Sequence, residues 1–582
     1  MTTSEDNPRA SNIREARPWL AHYEPEVPPH LDRHEGCLSE LLPAASRRFP
    51  GRPAIVFSVA VGGRLHTTSM TYRRLQLLVD RFAASLQRLG VRKGDRVALM
   101  LPNCPQFVIA YLATVAVGGI AVPFNPLYSA REVEYQLRDC GAVIAVVLSQ
   151  FYPVVSQVRP GTTLRRVIVT RIKEHFPPLL WCLFTLTRER KLPSAPLAPG
   201  DLSFRSLLRA GTPQPAVMHE DETAVLLYTG GTTGISKGVE LSHRNLLVNA
   251  EQNRAWARLE DGQEITLAAV PLFHAFGLTC CLNLGVMTGA TLVLLPNPTD
   301  THGLVLAIHR HRPSVFPVVP TFLVAITNLP GLERFDLRSV RVCPCAGNPL
   351  APAVQRSFIE KTGVRPVEGY GLTEASPVVM GNPPFGEDRH GTVGLPYPDT
   401  LARIVDLETG QRSVGLGEGG DWTVPGELVV RGPQVMKGYW GRPEETAEQI
   451  RDGWLHTGDI AQMHRDGYFR IVDRKKDMII RSGMNIYPAE IEAVLLEHPK
   501  ILEALVVGIP DETRGELVRA FVVPREGVEL QPDELLAFCR ENLAKFKVPS
   551  AVEIREELPK TAVGKPLRRA LRDEAVARAA EQ

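Results

Sequence analysis

No stretch of these 582 residues is apolar for long enough to cross a bilayer, no cysteine spacing marks a zinc site or a secreted disulfide framework, and neither sign of charge is in excess. Each absence excludes something. The most apolar segment, residues 176–186, carries two prolines and falls far short of the roughly 20 residues that a spanning helix needs. The nine cysteines include the neighbours Cys280 and Cys281 and the spaced pair Cys343 and Cys345, and they read as reduced thiols of a cytoplasmic protein. A net charge of +2, with no Lys/Arg cluster interleaved with aromatics, excludes nucleic acid as a partner. The opening residues are polar and acidic and lack the apolar stretch of a secretory signal or presequence. Segment 176–186 runs into the charged residues 188–191 and carries Trp181 and Phe184. It is either an ordinary packed helix, the preferred reading, or a patch lying on a membrane surface with both aromatics among the headgroups.

What is present is the composition of a soluble globular protein, 44% hydrophobic and 22% charged, in a chain long enough for several domains at about 150 residues each. Leu75, Leu78, Phe82, Leu86 and Leu89 recur at helical spacing, and Gly90 stands where a helix would end. A strand over 96–101, an apolar stretch over 107–117, a strand at 120–123, a polar helix over 131–139 and a strand over 143–148 follow. This β/α alternation implies an α/β fold built on a mostly parallel sheet. Residues 188–218 are rich in Pro, Ala and Arg and read as a connecting excursion, after which the alternation resumes at Thr223. Near Asp473 the pattern changes to a smaller α+β unit with helices over 488–497 and 532–543 and strands over 504–508 and 520–523. A large N-terminal domain of packed α/β subdomains, 1–473, thus precedes a small C-terminal domain, 477–582, whose last residues from 570 read as a frayed helix.

The strongest local signal is Tyr228-Thr-Gly-Gly-Thr-Thr-Gly-Ile-Ser-Lys-Gly238, entered from an apolar strand over 224–227. Gly230, Gly231 and Gly234 let the backbone turn its N–H groups toward an anion. Thr229, Thr232 and Thr233 add hydroxyls, and Lys237 adds a mobile positive charge. The run is not a Walker A loop, because Ser236 stands where that pattern has a glycine. It reads as a phosphate-holding loop of a nucleotide site.

At this loop the chain resembles the adenylate-forming superfamily of acyl-CoA synthetases, nonribosomal peptide adenylation domains and luciferases. Further motifs agree in order: Pro271-Leu-Phe-His-Ala-Phe-Gly277, Glu368-Gly-Tyr-Gly-Leu-Thr-Glu374, Trp454-Leu-His-Thr-Gly-Asp459 with Val472-Asp-Arg-Lys-Lys-Asp-Met478, and Leu558-Pro-Lys-Thr-Ala-Val-Gly-Lys565. The earlier region, including Pro18-Trp-Leu and residues 96–126, resembles the long-chain fatty acid–CoA ligase branch. The resemblance implies ATP, Mg²⁺ and coenzyme A, with a medium- to long-chain fatty acid as acyl donor. It implies that the loop and Lys237 hold the β- and γ-phosphates while Thr229 and Glu374 approach Mg²⁺. Tyr370, with Glu368, Gly369, Gly371 and Thr373, would meet adenine on one side and Gly347 and Asn348 on the other. Asn348 departs from the family's small residue in Ala346-Gly-Asn-Pro-Leu350. Asp459 would accept the ribose hydroxyls with Arg474 in support, and His274 would border the carboxylate and gate the acyl chain with Phe276.

Lys565 is the residue the resemblance makes most important, because its ammonium would touch both the attacking carboxylate and the α-phosphate. The mobile small domain would then rotate about a hinge at 474–476, withdrawing Lys565 and bringing Ser482 and Gly483 to a CoA tunnel. Residues 278–284, with Gly285 and Gly289, are apolar enough to wall an acyl tunnel, and a packed helix would look the same. Three other functions stay open: delivery of the acyl group to a carrier-protein phosphopantetheine, a non-catalytic nucleotide-binding protein, and, remotely, a luciferase-like oxygenase. Peripheral membrane contact and a homodimer also stay open.

Overall fold

The computed structural model describes residues 17–32, 36–187, 189–193, 195–209, 211–229, 236–481, 484–511, 514–560 and 567–580. It divides into two compact units, one of residues 19–401 and 430–455, the other built chiefly from 402–429 and the chain from 456 onward.

The larger unit carries the expected alternation. Tyr72–Arg88 is helical because Thr71 accepts a hydrogen bond from the Arg74 amide at its start and its apolar stripe, Leu75, Leu78, Phe82 and Leu86, is buried. Gly90, at φ +86°, turns the chain out of it. Phe107 and its neighbours lie on a helix, Pro105–Ala116, that is buried almost all round. An eight-stranded sheet runs in the order Gly438–Tyr439, Lys237–Ser242, Thr223–Thr229, Ile120–Pro123, Arg96–Met100, Ile144–Leu148, Arg166–Thr170, Leu202–Ser203. From Thr223–Thr229 to the last strand every pairing is parallel, and the first two strands are antiparallel additions. Parallel strands covered by helices are buried on both faces, which is why Ile144–Leu148 is an uninterrupted apolar run. A four-stranded sheet of Ile265–Ala268, Thr291–Leu294, Pro53–Val61 and Arg64–Thr71 and another of Cys343–Cys345, Pro366–Gly371, Val378–Gly381 and Leu395–Pro396 complete this unit.

One expectation is corrected here, and two segments left between alternatives are described. The excursion over 188–218 is not wholly irregular: Leu202–Ser203 joins the sheet edge and Phe204–Leu207 is helical, because Phe204 is fully buried with its ring 4.5 Å from that of Phe82. The apolar segment forms the helix Pro178–Thr187, and its two aromatics part company. Phe184 packs edge-on against Phe176, whereas Trp181, Leu183 and Leu186 are exposed. The run beginning at Leu278 is a π-helical turn, Leu278–Asn283, with every residue buried. Among the described residues no helix is long and apolar enough to cross a membrane. All nine cysteines are free, and burial pushes the Cys104 and Cys140 thiols up to about 12, which keeps them protonated.

In the smaller unit, Leu401–Val405, Gly426–Arg431, Trp454–Met463 and Phe469–Arg474 contribute to one sheet, and Ile501–Asp511, Gly515–Pro524, Ile479–Arg481, Met484–Ile486 and Ala551–Ile554 form a second. The helices Pro488–Glu497 and Pro532–Asn542 fall where the sequence puts them. The two long strands overrun their apolar cores at both ends, since backbone pairing from Ile501↔Pro524 to Asp511↔Gly515 continues through polar residues. The terminal helix, Arg568–Ala580, is anchored rather than frayed: Leu571 and Ala575 are buried against Leu505, Ile509 and Phe521.

Candidate active site

The phosphate loop is the connection of a hairpin whose ladder opposes Thr229 to Lys237 and Tyr228 to Gly238. Ser236 Oγ donates to the Thr229 carbonyl at 2.8 Å and ties the two ends together. Gly230, Gly231, Thr232, Thr233 and Gly234 lie outside the described residues, as do Ser482, Gly483 and Lys565. What the structure places is therefore the frame of the loop. Gly238 has a steric reason: a Cβ there would come within 3.2 Å of the Tyr228 ring.

Behind the frame lies the helix Ala130–Cys140, fixed in register by a capping box between Ser129 and Glu132 and ended by Gly141 at φ +62°. Two of its residues, one turn apart, reach the hairpin. Tyr135 Oη donates to the Ser236 carbonyl at 2.8 Å, and Asp139 Oδ2 accepts from Tyr228 Oη at 2.6 Å. Arg442 closes the group from another segment, donating to Tyr135 Oη at 2.9 Å and Asp139 Oδ1 at 3.1 Å.

Lys237 itself is largely buried, with 14% of its side chain exposed. Its ammonium is paired with Glu445 Oε2 and lies 4.9 Å from the centroid of the Tyr439 ring, a cation–π contact. Glu445 also accepts from Arg442 at 3.1 Å. The hydrogen bond from Lys237, with a second from Arg442, holds its carboxyl below the usual carboxylate range. Tyr439 Oη donates to Glu374 Oε1 at 3.0 Å. Burial first, and the Glu374 charge second, push that phenol above its ordinary value, so it remains a donor. Met436 N–H holds the Glu374 carbonyl at 2.8 Å. Lys237 and Glu374, distant in sequence, are thus brought to one ring. Tyr439, Glu445, Arg442, Asp139 and Tyr135 were not singled out by sequence. Only Tyr439 carried a signal, an aromatic in Gly438-Tyr-Trp440, and the others read as ordinary surface charges and a helix aromatic.

Among the described residues no group of three or more His, Cys, Asp or Glu gathers as a metal cage. One half-buried carboxylate, Glu374, is the donor set that suits Mg²⁺, which takes most of its ligands from phosphate and water.

The second expected cluster is also brought together. Cys343–Cys345 pairs with Pro366–Gly371 so that Cys345 opposes Glu368, and the turn after Cys345 carries Gly347, at φ +94°, and Asn348. Glu368 faces this turn, its Oε1 accepting from the Leu350 N–H at 3.1 Å. Burial pushes that carboxyl up to about 8. Its geometry is that of a strut between turn and strand. Gly371 is obligatory, because a Cβ would sit 2.1 Å from the Pro377 carbonyl oxygen, whereas a Cβ at Gly369 would come only to 3.3 Å from the Met380 carbonyl oxygen. Tyr370 lies between them opposite Met380, and Thr373 opens the short helix Thr373–Ala375 that carries Glu374.

His274 caps the helical turn Ala275–Gly277, its Nδ1 accepting from the Phe276 N–H at 3.4 Å. Asn103 clamps the approach to this motif, donating to the Ala268 and Val270 carbonyls and accepting from the Leu272 N–H. Gly277 packs so closely on Pro271 that a Cβ would fall 2.1 Å from its carbonyl oxygen, which accounts for the motif's last position.

In the smaller unit, Asp459 and Arg474 are opposed in the ladder between Trp454–Met463 and Phe469–Arg474, with Nε of Arg474 3.4 Å from Asp459 Oδ1. Asp459 is buried, and its N–H donates to Thr457 Oγ1. Glu427, unforeseen from sequence, holds the turn before it by accepting from the Gly458 N–H and from Lys475.

A glycine-loop hairpin carrying a held lysine, with an acidic residue and an aromatic strand in the same unit, defines a nucleotide-handling enzyme. The AMP-binding enzyme profile matches residues 42–440 and the AMP-binding enzyme C-terminal domain matches residues 490–565, so the chain belongs to the AMP-binding enzyme family. It is similar to the long-chain-fatty-acid–CoA ligase of Bacillus subtilis strain 168, 41% identical over 570 residues, 97% of this chain and 99% of that one. It is likewise similar to the enzyme of that name from Yersinia pestis, 42% identical over 568 residues, 96% of this chain and 98% of its relative. Among solved structures, the anthranilate CoA ligase AuaEII in complex with anthranoyl-AMP superposes with a TM-score of 0.80 at 27% identity, covering 94% of this chain and 99% of that one.

Proposed function

We infer that this chain is an ATP-dependent acyl-CoA ligase that converts a medium- to long-chain fatty acid to its acyl-adenylate, releasing pyrophosphate, and then to acyl-CoA, releasing AMP. The geometric observation that carries the reading is the meeting of Lys237 and Glu374 on the Tyr439 ring beside the phosphate hairpin. An anionic acid attacks an anionic triphosphate only where charge is neutralised beforehand, and this arrangement supplies a cation and a carboxylate suited to a hard divalent ion side by side. Similarity at about 41% identity over nearly the full length to ligases named for long-chain fatty acids supports the substrate class.

The residue roles follow. Thr229, the loop 230–234 and Lys237 surround the β- and γ-phosphates. Glu374 and Thr229 would hold Mg²⁺, which when bound offsets the repulsion between the two reactants. Tyr370, flanked by Gly369 and Gly371, meets adenine, with Gly347 and Asn348 opposite. Glu368 supports this cluster by bracing the turn rather than by touching the base. Asp459 and Arg474 take the ribose. His274 and Phe276 border the acyl entrance. Lys565 bridges the attacking carboxylate and the α-phosphate, and a hinge at 474–476 exchanges it for Ser482 and Gly483 when the thiol enters, with 477–582 as the moving domain.

Peripheral membrane contact belongs to the same proposal. The exposed Trp181, Leu183 and Leu186, followed by the exposed Arg190 and Lys191, support docking on anionic lipid, which would present the substrate locally. Cosedimentation with phosphatidylglycerol vesicles, reduced by Trp181→Ser, checks it.

The test of the function is acid-dependent release of AMP and pyrophosphate across straight-chain acids from acetate to oleate, with CoA, without it, and with a phosphopantetheinyl carrier protein in its place. Acyl-CoA from the longer acids is the expected product. ADP in place of AMP, or turnover indifferent to the acid, would refute the reading, and acyl transfer to the carrier alone would reassign the acceptor.

A further inference from the structure

Lys237 does not wait for nucleotide as a free cation. Its ammonium is paired with Glu445, in the first turn of the helix Pro443–Gln449, and Arg442 grips the same carboxylate at 3.1 Å. Arg442 is in turn fixed by Asp139 and Tyr135, and these two residues hold Tyr228 and Ser236, which flank the phosphate loop. The carboxylate therefore sits on the cation next to the loop, held from a network that spans both ends of the hairpin. A carboxylate with one oxygen on the Lys237 ammonium and the other on the Arg442 guanidinium reproduces, in charge and in hydrogen-bond type, one edge of a phosphate. The pair is about one-third exposed on the Glu445 side, so breaking it is affordable within the energy of nucleotide binding.

We propose that Glu445 is the resident anion of the phosphate site, holding Lys237 until the triphosphate displaces it, and so sets the affinity for ATP. The proposal rests on the reading of Lys237 as a phosphate ligand. Displacement costs the nucleotide the free energy of the existing pair, and removing the carboxylate returns that energy to binding. The neighbouring Arg442 keeps Glu445 charged and solvated after release, which makes the exchange reversible.

The experiment is equilibrium binding of Mg-ATP to the full-length protein in the absence of fatty acid and CoA, at low and at high salt. Glu445→Gln is expected to tighten binding roughly 2- to 5-fold at low salt, the range of a partly exposed ion pair, with the gain shrinking at 0.5 M salt. Glu445→Ala should change it in the same direction, which guards against an effect peculiar to the amide. Since loss of any negative charge near ATP favours binding, the deciding measurement is the same substitution in a Lys237→Met background. There the gain should fall by at least half. An equal gain in both backgrounds, or unchanged or weaker binding in Glu445→Gln, overturns the exchange. If Lys237→Met alone binds Mg-ATP like the unmodified protein, it is the reading of Lys237 that fails.

Discussion

Two antiparallel ladders each deliver a cation beside a functional partner, and they do so in opposite styles. In the larger unit, the register Thr229↔Lys237 presents a lysine that is 14% exposed and fixed by Glu445 and by the Tyr439 ring. In the smaller unit, Asp459↔Arg474 presents an arginine with 53% of its side chain exposed, 3.4 Å from a buried aspartate. The first holds its cation largely buried between two partners; the second sets a half-exposed cation beside a buried acid. One ladder is thus a fixed frame for its cation and the other a loosely dressed one, and under the proposed function the first would serve phosphate and the second ribose.

The comparison is tested most severely at the third cation, Lys565. Lys565→Ala should lower acyl-adenylate formation by about 10³-fold or more while leaving thioester formation from supplied acyl-adenylate near normal. Equal losses in the two half-reactions would end the idea of alternating use. The rigidity of the larger unit breaks next at Gly371→Ala, whose Cβ has no room beside the Pro377 carbonyl. A loss of about 3 kcal/mol of stability is expected, read from denaturant midpoints.

Glu368 sharpens the contrast through pH. Its folded-state value of about 8 lies above the ordinary 4.5, so the folded protein keeps a proton that the unfolded chain has released. That contribution to stability is complete below about 4.5 and disappears as pH rises through 8, with a slope of at most about 1.4 kcal/mol per pH unit. Glu368→Gln, which still accepts from the Leu350 N–H, should flatten the fall in melting temperature between pH 6 and 9; an unaltered profile would show that the carboxyl titrates normally. Tyr439→Phe removes the donor to Glu374 and should raise the KM for Mg-ATP by roughly 10-fold, the lower end of the worth of one hydrogen bond to a charged group. Arg474→Lys, at a largely exposed pair, should change that KM by less than about 2-fold. A larger effect there than at Tyr439 would invert the comparison.

The fold was legible where periodicity and turn residues agreed. The helix ending before Gly90 and the parallel run from Arg96 to Leu148 follow from apolar spacing and glycine stops, because local preference and burial coincide there. Phe204 was not legible, since one aromatic in a proline-rich stretch carries no period. The anchoring of Leu571 and Ala575 depends on strands far away in sequence. At the candidate site, motif residues with a backbone reason stood out, as Gly238, Gly277 and Gly371 now explain. The charges that hold them did not, because Asp139, Arg442 and Glu445 look in sequence like any solvated side chains and acquire their function only from each other's positions.

The pairing of Thr229 with Lys237 has a consequence for variation. Both gateposts of the seven-residue span between them belong to the sheet, so insertions or deletions in the span change its length without relocating the ammonium. The length of that span is therefore open to redesign while the charge at its foot keeps its address. A slip of the ladder by a single residue would instead point the lysine at the opposite face of the sheet.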